Sequence, residues 1–589
     1  MGARTHFVGQ VIDDGGPTTV RDAFAEGDAA AITIDEWVPP GTWVEIWYDA
    51  DSGASPRAEI LAAHGSARAA LLELVREQGL DPAHPDDVER ETRALIDAPG
   101  LDDPELVDRT VWPFVTVDGP GTRDLDQALF VEQDGDDFVV HYAIADAAWY
   151  VRPGTALFDE ALRRGASFYL PGLSVPMLPR TLSEGVISLN PRVDRRALLF
   201  SMRVDRSGEC TGTRFERVRM CSRAQLTFGQ VQALVDGRDG HGIADPAVVR
   251  SLHALRAVGE VRIRADAERD LVRHHHEEVR VTLDGGEGLD FVVISELRDE
   301  VERYGEQLSL MCNIEGAKLL REGARDRDLV QPVYRVHASP QPERIGDLVA
   351  TIDAVVRHHG TPQLRWDPDR ESLAEYLARL PRHGEHGGIG RALSRQAMMI
   401  NVRSTFSAEP GVHFGIGADV YARFSAPMRE IVGVYVHKEA WEALRRAPAA
   451  PGDDALRERV IEAANRAKER QRSLTHGANL LVLDRMFARD AAQPRADRPV
   501  RRGTVMGVAD RRLYVRLDEP AVDVKVYGDA FRSGSPIASV TAGGRTIGCA
   551  LGDTVGVRLA QHDEARRRWL LELVPPAAAP PKSSPRGPD

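Results

Sequence analysis

The chain has 589 residues, a formal net charge of −15 and a hydrophobic content of 42%, and this length predicts roughly three or four globular domains. It contains no apolar run of about eighteen residues, so no membrane-spanning helix is predicted. Its first residues lack the pattern of a secretory signal. The four cysteines are widely spaced and form no CxxC pair, which argues against a zinc ribbon and predicts a reduced, cytoplasmic protein.

The first 105 residues are predicted to form a small β-rich module that ends in helices. Short apolar runs bounded by Gly, Asp and Pro predict strands at 6–12, 29–34 and 42–48. Helical apolar spacing predicts helices over 67–76 and 86–96. A small β-barrel and a winged-helix fold both remain open for this module.

Three aspartates lie close together between two predicted strands. Asp118, Asp124 and Asp126 follow the apolar run 112–117 and precede the run 128–131, in a segment rich in Gly and Pro. Neighbouring carboxylates raise each other's pKa unless a cation intervenes, and their hard oxygen atoms suit Mg²⁺ or Mn²⁺ rather than zinc. A polar hairpin turn is an equally good interpretation of this segment taken alone, because Asp is common in turns.

Two long helices are predicted in the second half of the chain, over 302–320 and 456–489. Before them lies the run His274–His276, which resembles a metal-binding cluster. Adjacent side chains point in different directions, so we interpret this run as an exposed connector.

The C-terminal part is predicted to be a five-stranded OB-fold barrel over 498–574, followed by a disordered Pro-rich tail at 575–589. The strands expected there include 513–517, 523–527 and 554–559. Residues 485–516 hold nine arginines against three acids, and Arg suits bidentate phosphate contacts. We therefore predict that Arg501 and Arg502 contact phosphate groups, while a GC-rich genome explains the general preference for Arg.

Several sequence blocks together resemble the ribonuclease II / ribonuclease R family. The acidic segment DGPGTRDLDQ at 118–127 resembles the opening of that family's catalytic domain. The blocks that follow in the family's order are HYAIAD at 141–146, YLPGLSVPMLPRTLSE at 169–184, SLN at 188–190, YRVH at 334–337, HFGIG at 413–417 and YARFSAPMR at 421–429. The resemblance implies a multidomain α+β protein, with a mixed α/β catalytic domain at 106–490 between the N-terminal module and the barrel.

The resemblance also implies catalytic residues. Asp118, Asp124 and Asp126 are expected to hold one or two Mg²⁺ ions, with Mn²⁺ as a substitute, and Arg429 is expected to grip the scissile phosphate. Gln127 stands where better-known members have a fourth Asp. Its amide oxygen can still coordinate a hard cation, but it brings no charge.

The resemblance implies that six further residues bind RNA, among them Arg501 and Arg502 of the C-terminal barrel. For the N-terminal module it leaves open an RNA-binding role and a purely packing role. Tyr169 and Phe228 match positions where aromatic side chains stack on bases, and Glu306 and Glu469 match glutamates that line the cavity. A helical Glu is equally often a solvated surface residue, so both interpretations of the two glutamates stay open.

The function implied by the resemblance is a Mg²⁺-dependent, processive 3′-to-5′ exoribonuclease. It would hydrolyse single-stranded RNA to 5′-mononucleotides and would act as a cytoplasmic monomer without a membrane partner. An alternative is a catalytically inactive RNA-binding protein on the same scaffold, which the Gln127 departure motivates. A third interpretation, a nuclease within a larger complex, is weaker because no additional N-terminal endonuclease domain is apparent.

Overall fold

The computed structural model describes residues 5–13, 15–25, 27, 31–48, 55–238, 242–268, 278–284, 288–296, 298–325, 330–509, 511–527, 537–542 and 545–576. The predicted connector His274–His276, the start of the strand predicted at 29–34 and the tail from 577 on lie outside these residues. No helix in the described part is long and apolar enough to cross a membrane.

The N-terminal module is an antiparallel sheet followed by two helices, which confirms the predicted β-rich module with helices. Helix α1 begins where the Ser66 hydroxyl accepts a hydrogen bond from the Ala69 N–H at 3.1 Å. Helix α2 has three acidic residues in its first turn, where their negative charges interact favourably with the positive end of the helix dipole. The strand order is β3-β2-β1-β4-β5. The elements are β1 His6–Ile12, β2 Thr19–Asp22, β3 Ile32–Thr33, β4 Trp43–Trp47, β5 Arg57–Ala62, α1 Ala67–Glu77 and α2 Asp86–Asp97.

A seven-stranded mixed sheet follows, in the order β14-β7-β8-β9-β12-β13-β6. Its central strands are hydrophobic on both faces, since β9 is almost wholly buried. A separate hairpin, β10–β11, and a π-helical turn over Thr181–Val186 complete this part. The elements are β6 Val107–Asp108, β7 Val115–Asp118, β8 Gln127–Asp134, β9 Asp137–Ala145, α3 Ala147–Tyr150, α4 Ala156–Arg164, β10 Phe168–Leu170, β11 Leu173–Val175, β12 Asp194–Val204, β13 Cys210–Cys221, β14 Ala224–Thr227 and α5 Phe228–Val235.

Long helices pack against this sheet. One continuous hydrophobic core joins β7, β8, β9 and β12 to α6, α7 and α11. This core holds the strand ends that carry the aspartates in place. The next elements are α6 Pro246–Glu268, β15 Glu278–Leu283, β16 Phe291–Glu296, α7 Glu300–Gly323, β17 Tyr334–Val336, α8 Pro342–His359, α9 Leu373–Arg379, α10 Gly387–Met399, β18 Thr405–Ser407, α11 Ile431–Arg445 and α12 Asp453–Ala491.

The C-terminal strands form a curled antiparallel sheet in the order β21-β20-β19-β24-β25, with β21 and β25 in contact, as expected for a barrel. The strands are β19 Arg501–Ala509, β20 Arg512–Leu517, β21 Asp523–Tyr527, β22 Ile537–Ala542, β23 Arg545–Ala550, β24 Thr554–Asp563 and β25 Arg568–Val574.

The chain divides into two compact units. The first contains the described residues up to 338 together with Ser404–Ala478. The second contains Ser339–Arg403 and the described residues from 479 on. Within the second unit α10 packs on β19, where the Gln396 amide donates to the Met506 carbonyl at 2.9 Å. The predicted domain boundaries at 105, 490 and 498 stay predictions.

Candidate active site

The acidic segment connects the two neighbouring strands β7 and β8. Asp118 ends β7 and Gln127 begins β8, so both lie at the same end of these two antiparallel strands. The other two aspartates lie on the connecting loop. The loop turns at Gly121, whose φ of 81° is accessible to glycine without strain.

Ser188 anchors this loop. Its hydroxyl accepts a hydrogen bond from the Leu125 N–H at 3.0 Å and donates to the Arg123 carbonyl at 2.7 Å. The Leu189 N–H then donates to the Leu125 carbonyl at 3.0 Å. Because these bonds hold the backbone on both sides of Asp124, the block at 188–190 fixes the position of the acidic residues.

Asp126 is almost completely buried, with 2% of its surface exposed, and both of its carboxylate oxygens accept hydrogen bonds. Oδ1 accepts from the Met428 N–H at 3.2 Å, and Oδ2 accepts from Arg429 Nε at 2.6 Å. Arg429 Nε also lies 4.0 Å from Asp124 Oδ2. The charge of Asp126 raises the pKa of Arg429, so this guanidinium stays charged.

The segment that carries Arg429 is held in an uncommon backbone conformation. Ala426 has a φ of 71°, which costs a residue with a side chain roughly 1–2 kcal/mol. The Arg429 and Glu430 N–H groups both donate to the Ala426 carbonyl, which closes the turn. The turn presents the Met428 N–H and the Arg429 side chain to the same carboxylate.

Asp118 is the one aspartate with a buried oxygen, Oδ2, that has no hydrogen-bond partner among the described residues. Burial raises its pKa to about 7, with further contributions from the charges of Asp126 and Asp124, although Arg429 opposes the shift. A buried carboxylate that is repelled by two others and lacks a donor fits a divalent cation, which would neutralise it.

The three aspartates are not gathered around a single point in this structure. Among the described residues, two other sets of three side chains bring one ligand atom of each within 4.8 Å of the others. One of these sets, Glu439, Glu442 and Asp453, surrounds the ammonium group of Lys438 at 2.8–2.9 Å, so a cation of the protein itself already occupies its centre. At the aspartates, the charge of Arg429 serves the same purpose for Asp126.

Gln127 faces a cavity of about 330 Å³ beside the aspartates. Its amide oxygen accepts a hydrogen bond from the buried hydroxyl of Tyr142, so the predicted ligand atom already has a partner. Phe228 and Glu306 line the same cavity, together with Arg298 and Tyr421, and their contacts with RNA stay predictions. The predicted role of Gln127 as a metal ligand stays a prediction.

Tyr169 lies at an exposed position next to the charged cluster. Its side chain is 48% exposed on β10, and Gln471 holds its backbone through two hydrogen bonds of 3.0 and 2.9 Å. Burial of the phenol group and the charges of Asp124 and Asp126 raise the pKa of Tyr169 to about 12, against the influence of Arg429. An exposed aromatic ring beside this cluster suits stacking on a base.

The remaining predicted residues lie elsewhere. Glu469 is on the exposed face of α12 and does not line the cavity beside Gln127. Arg501 forms an ion pair with Asp490 and is 15% exposed, and Arg502 lies 3.3 Å from Asp518. These arginines are neutralised locally, so the structure gives no direct support to their predicted RNA contacts.

Sequence reasoning missed two residues that support the site. Asn313 is fully buried, and its amide oxygen accepts from the Phe424 and Ser425 N–H groups at 2.7 and 2.9 Å. Arg423 lines the cavity and is bonded to Glu430 at 3.0 Å. Arg423 belongs to the recognised block 421–429, so that block was the available signal, whereas a lone Asn on a helix gives none.

Known proteins are similar to this chain over most of its length. The family model described as the RNB domain matches residues 107–446. Ribonuclease R of Escherichia coli is 27% identical over 500 residues, which cover 80% of this chain. Exoribonuclease 2 of Yersinia pseudotuberculosis is 29% identical over 505 residues, which cover 83% of this chain and 74% of that protein. The chain spans 39 to 58% of the length of the first ribonuclease R relatives that it matches.

Solved structures share the fold. The structure of Mycoplasma genitalium RNase R in complex with ribose-methylated single-stranded RNA matches with a TM-score of 0.76 at 19% identity. The match covers 97% of this chain and 90% of that one. The mixed α/β architecture is therefore that of a known multidomain scaffold.

Proposed function

This chain belongs to the RNB domain family, and on that premise we propose that it is a divalent-metal-dependent 3′-to-5′ exoribonuclease. It processively hydrolyses single-stranded RNA to 5′-mononucleotides. The observation that carries the proposal is the pairing of Asp126 with Arg429 next to the buried, unpartnered oxygen of Asp118. The names of the relatives, ribonuclease R and exoribonuclease 2, support the same activity.

Asp118, Asp124 and Asp126 would hold the metal. Each carboxylate oxygen of Asp126 accepts one hydrogen bond and keeps a second lone pair for a cation, so its bond to Arg429 stays in place. Mg²⁺ is the expected ion and Mn²⁺ a substitute, because all donors are carboxylate oxygens. When bound, such an ion activates water and stabilises the charge that develops on the phosphate.

Arg429 binds the scissile phosphate in this proposal. Its Nε–H is the donor to Asp126, which leaves the terminal nitrogens of a side chain that is 39% exposed to reach phosphate oxygens. Asp126 therefore orients the guanidinium. A guanidinium group that is already oriented before the substrate binds can stabilise the negative charge that develops on the phosphate, without reorganising during the reaction.

Tyr169 and Phe228 hold the RNA by stacking. Stacking is tolerant of sequence because every base has an aromatic face, which suits an enzyme that degrades any RNA. The cavity beside Gln127 adds Glu306 as an acceptor, which can recognise a ribose hydroxyl and favour RNA over DNA. RNA contacts by Glu469, Arg501 and Arg502 remain part of the proposal.

Three finer statements complete the proposal. The substrate is single-stranded RNA, the protein works as a monomer, and it works in the cytoplasm. The four cysteines support the last point, since all of them are free, as in reduced proteins.

A second candidate function is an inactive RNA-binding protein on the same scaffold. The observation that favours it is the hydrogen bond between the Tyr142 hydroxyl and Gln127, which occupies a neutral oxygen at a position where the family has a carboxylate. We favour the nuclease, because the rest of the site retains its charges and contacts.

One experiment separates the two candidates. A labelled single-stranded RNA is incubated with the full chain in Mg²⁺ or in EDTA, and both cleavage and binding are measured. The nuclease requires Mg²⁺-dependent cleavage that Asp126→Asn abolishes, whereas an inactive protein binds the RNA without cleaving it. Asp136→Asn, at an exposed acid on the β8–β9 turn, is the matched control.

A further inference from the structure

A histidine pair at the end of α8 faces a carboxylate from the C-terminal strands. His358 and His359 are the last residues of α8, and Asp553 follows β23 in the turn that leads to β24. One ligand atom from each of the three lies within 4.8 Å of the others. All three residues belong to the second compact unit.

The distances bring both imidazoles to the same carboxylate. His358 Nε2 lies 3.9 Å from Asp553 Oδ2, and His359 Nδ1 lies 3.8 Å from Asp553 Oδ1. These separations exceed a hydrogen bond, so the groups do not satisfy one another directly. They approach the spacing of ligand atoms that share an ion with bonds of about 2.0–2.2 Å.

The imidazole ring of His359 is oriented like that of a metal-binding histidine. Its Nε2 lies 2.8 Å from the Leu551 carbonyl, which can only accept, so Nε2 carries the proton. In the neutral ring, Nδ1 then presents a lone pair towards the Asp553 carboxylate. Metal-binding histidines commonly donate their second N–H to a backbone carbonyl in this way, which fixes the tautomer and the ring orientation.

The carboxylate of Asp553 is also held in place. The Ala550 N–H donates to Asp553 Oδ2 at 2.7 Å, so the carboxylate is fixed by its own turn. Gly360, with a φ of 64°, ends α8 directly after the pair. The His358 and His359 rings lie 4.9 Å apart and almost perpendicular, so neither ring blocks the other.

We propose that His358, His359 and Asp553 form a binding site for a zinc-type divalent ion that joins α8 to the C-terminal strands. Two imidazoles and one carboxylate suit Zn²⁺, whereas the all-carboxylate site near Asp118 suits Mg²⁺. The side chains of His358 and Asp553 are 37% and 28% exposed, which leaves room for water as the fourth ligand. The site is independent of the proposed nuclease activity and has a structural role.

The test uses the full chain after removal of metals with EDTA. Zinc bound per chain is measured by equilibrium dialysis for the wild type, His359→Gln, Asp553→Asn and the control His383→Gln, an exposed histidine of the same unit. The proposal predicts that the wild type and the control each bind one more ion than the two site variants. Equal stoichiometry in all four proteins would overturn it and would leave an ordinary His–Asp ion pair.

A second measurement covers the case in which a site variant is less stable. Thermal unfolding is followed with and without added zinc. Zinc is expected to raise the Tm of the wild type and of His383→Gln, and to leave the Tm of Asp553→Asn unchanged, because ligands stabilise only a folded state that binds them. The same zinc-induced rise in Asp553→Asn would contradict the proposal.

Discussion

Replacing Asp118 with Asn should make the metal-free protein more stable at alkaline pH while removing its activity. The pKa of Asp118 rises from its usual 3.8 to about 7 in the folded protein, so the folded state holds a proton that the unfolded state has lost. Stability is therefore lost as the pH rises from about 4 to about 7. Asn has no charge and escapes this loss.

The magnitude follows from the size of the pKa change. A difference of about three corresponds to roughly 4 kcal/mol at pH 8, and solvent screening at this partly exposed side chain reduces it to about 2–3 kcal/mol. The Oδ2 atom accepts no hydrogen bond among the described residues, so Asn loses no partner there. At pH 4 the two proteins should be equally stable.

The assay is urea unfolding of EDTA-treated protein at pH 4 and pH 8, with Asp136→Asn as the control at an exposed acid. We expect stabilisation at pH 8 for Asp118→Asn only, together with loss of Mg²⁺-dependent cleavage. An identical pH response in Asp118→Asn and the wild type would refute the argument that this carboxylate is held in a repulsive site. Cleavage at the wild-type rate would remove Asp118 from the metal site.

Three further predictions address the same site. Arg429→Ala should lower kcat by a factor that corresponds to about 3–4 kcal/mol. Arg429→Lys should recover little of this activity, because a point charge cannot replace the two donors of a guanidinium group. Full activity of the Lys variant in a steady-state assay would show that charge alone suffices. Tyr169→Ala should stop digestion at a longer end product, which a sequencing gel would show. The reason is that one lost stacking contact costs roughly 1–3 kcal/mol, which a short RNA cannot replace with other contacts. An end product of unchanged length would assign Tyr169 a packing role. Gln127→Asp should tighten Mg²⁺ binding in a calorimetric titration by adding a charge at the cavity, and unchanged affinity would place Gln127 outside the metal site.

Local signals predicted the short elements well. The helix predicted over 67–76 is Ala67–Glu77, because the Ser66 cap and the following Gly79 mark its ends in the sequence itself. The strand predicted over 513–517 is Arg512–Leu517. Such elements depend on neighbouring residues, so the sequence contains what is needed to predict them.

Long-range packing could not be predicted in the same way. Ser339–Arg403 packs with the C-terminal strands in the second unit, through contacts such as that of Gln396 with Met506, and no composition change marks this segment. The pairing of Asp126 with Arg429, which are 303 positions apart, was accessible only through the family resemblance.

The bond between Tyr142 and Gln127 could have been found from register alone. Gln127 pairs with Ile144 across β8 and β9, so Tyr142 is its diagonal neighbour, within reach of a long side chain. The unpartnered Asp118 oxygen, in contrast, depends on burial by distant elements, which no local pattern contains.

The most direct test of the central claim is the identity of the first product from an RNA labelled at its 3′ end. With the full chain and Mg²⁺, the account predicts that the label appears at once as a 5′-mononucleotide, while the same RNA labelled at its 5′ end shortens progressively. Asp126→Asn should release no label. Labelled internal fragments, or release from the 5′ end first, would contradict a 3′-to-5′ exoribonuclease.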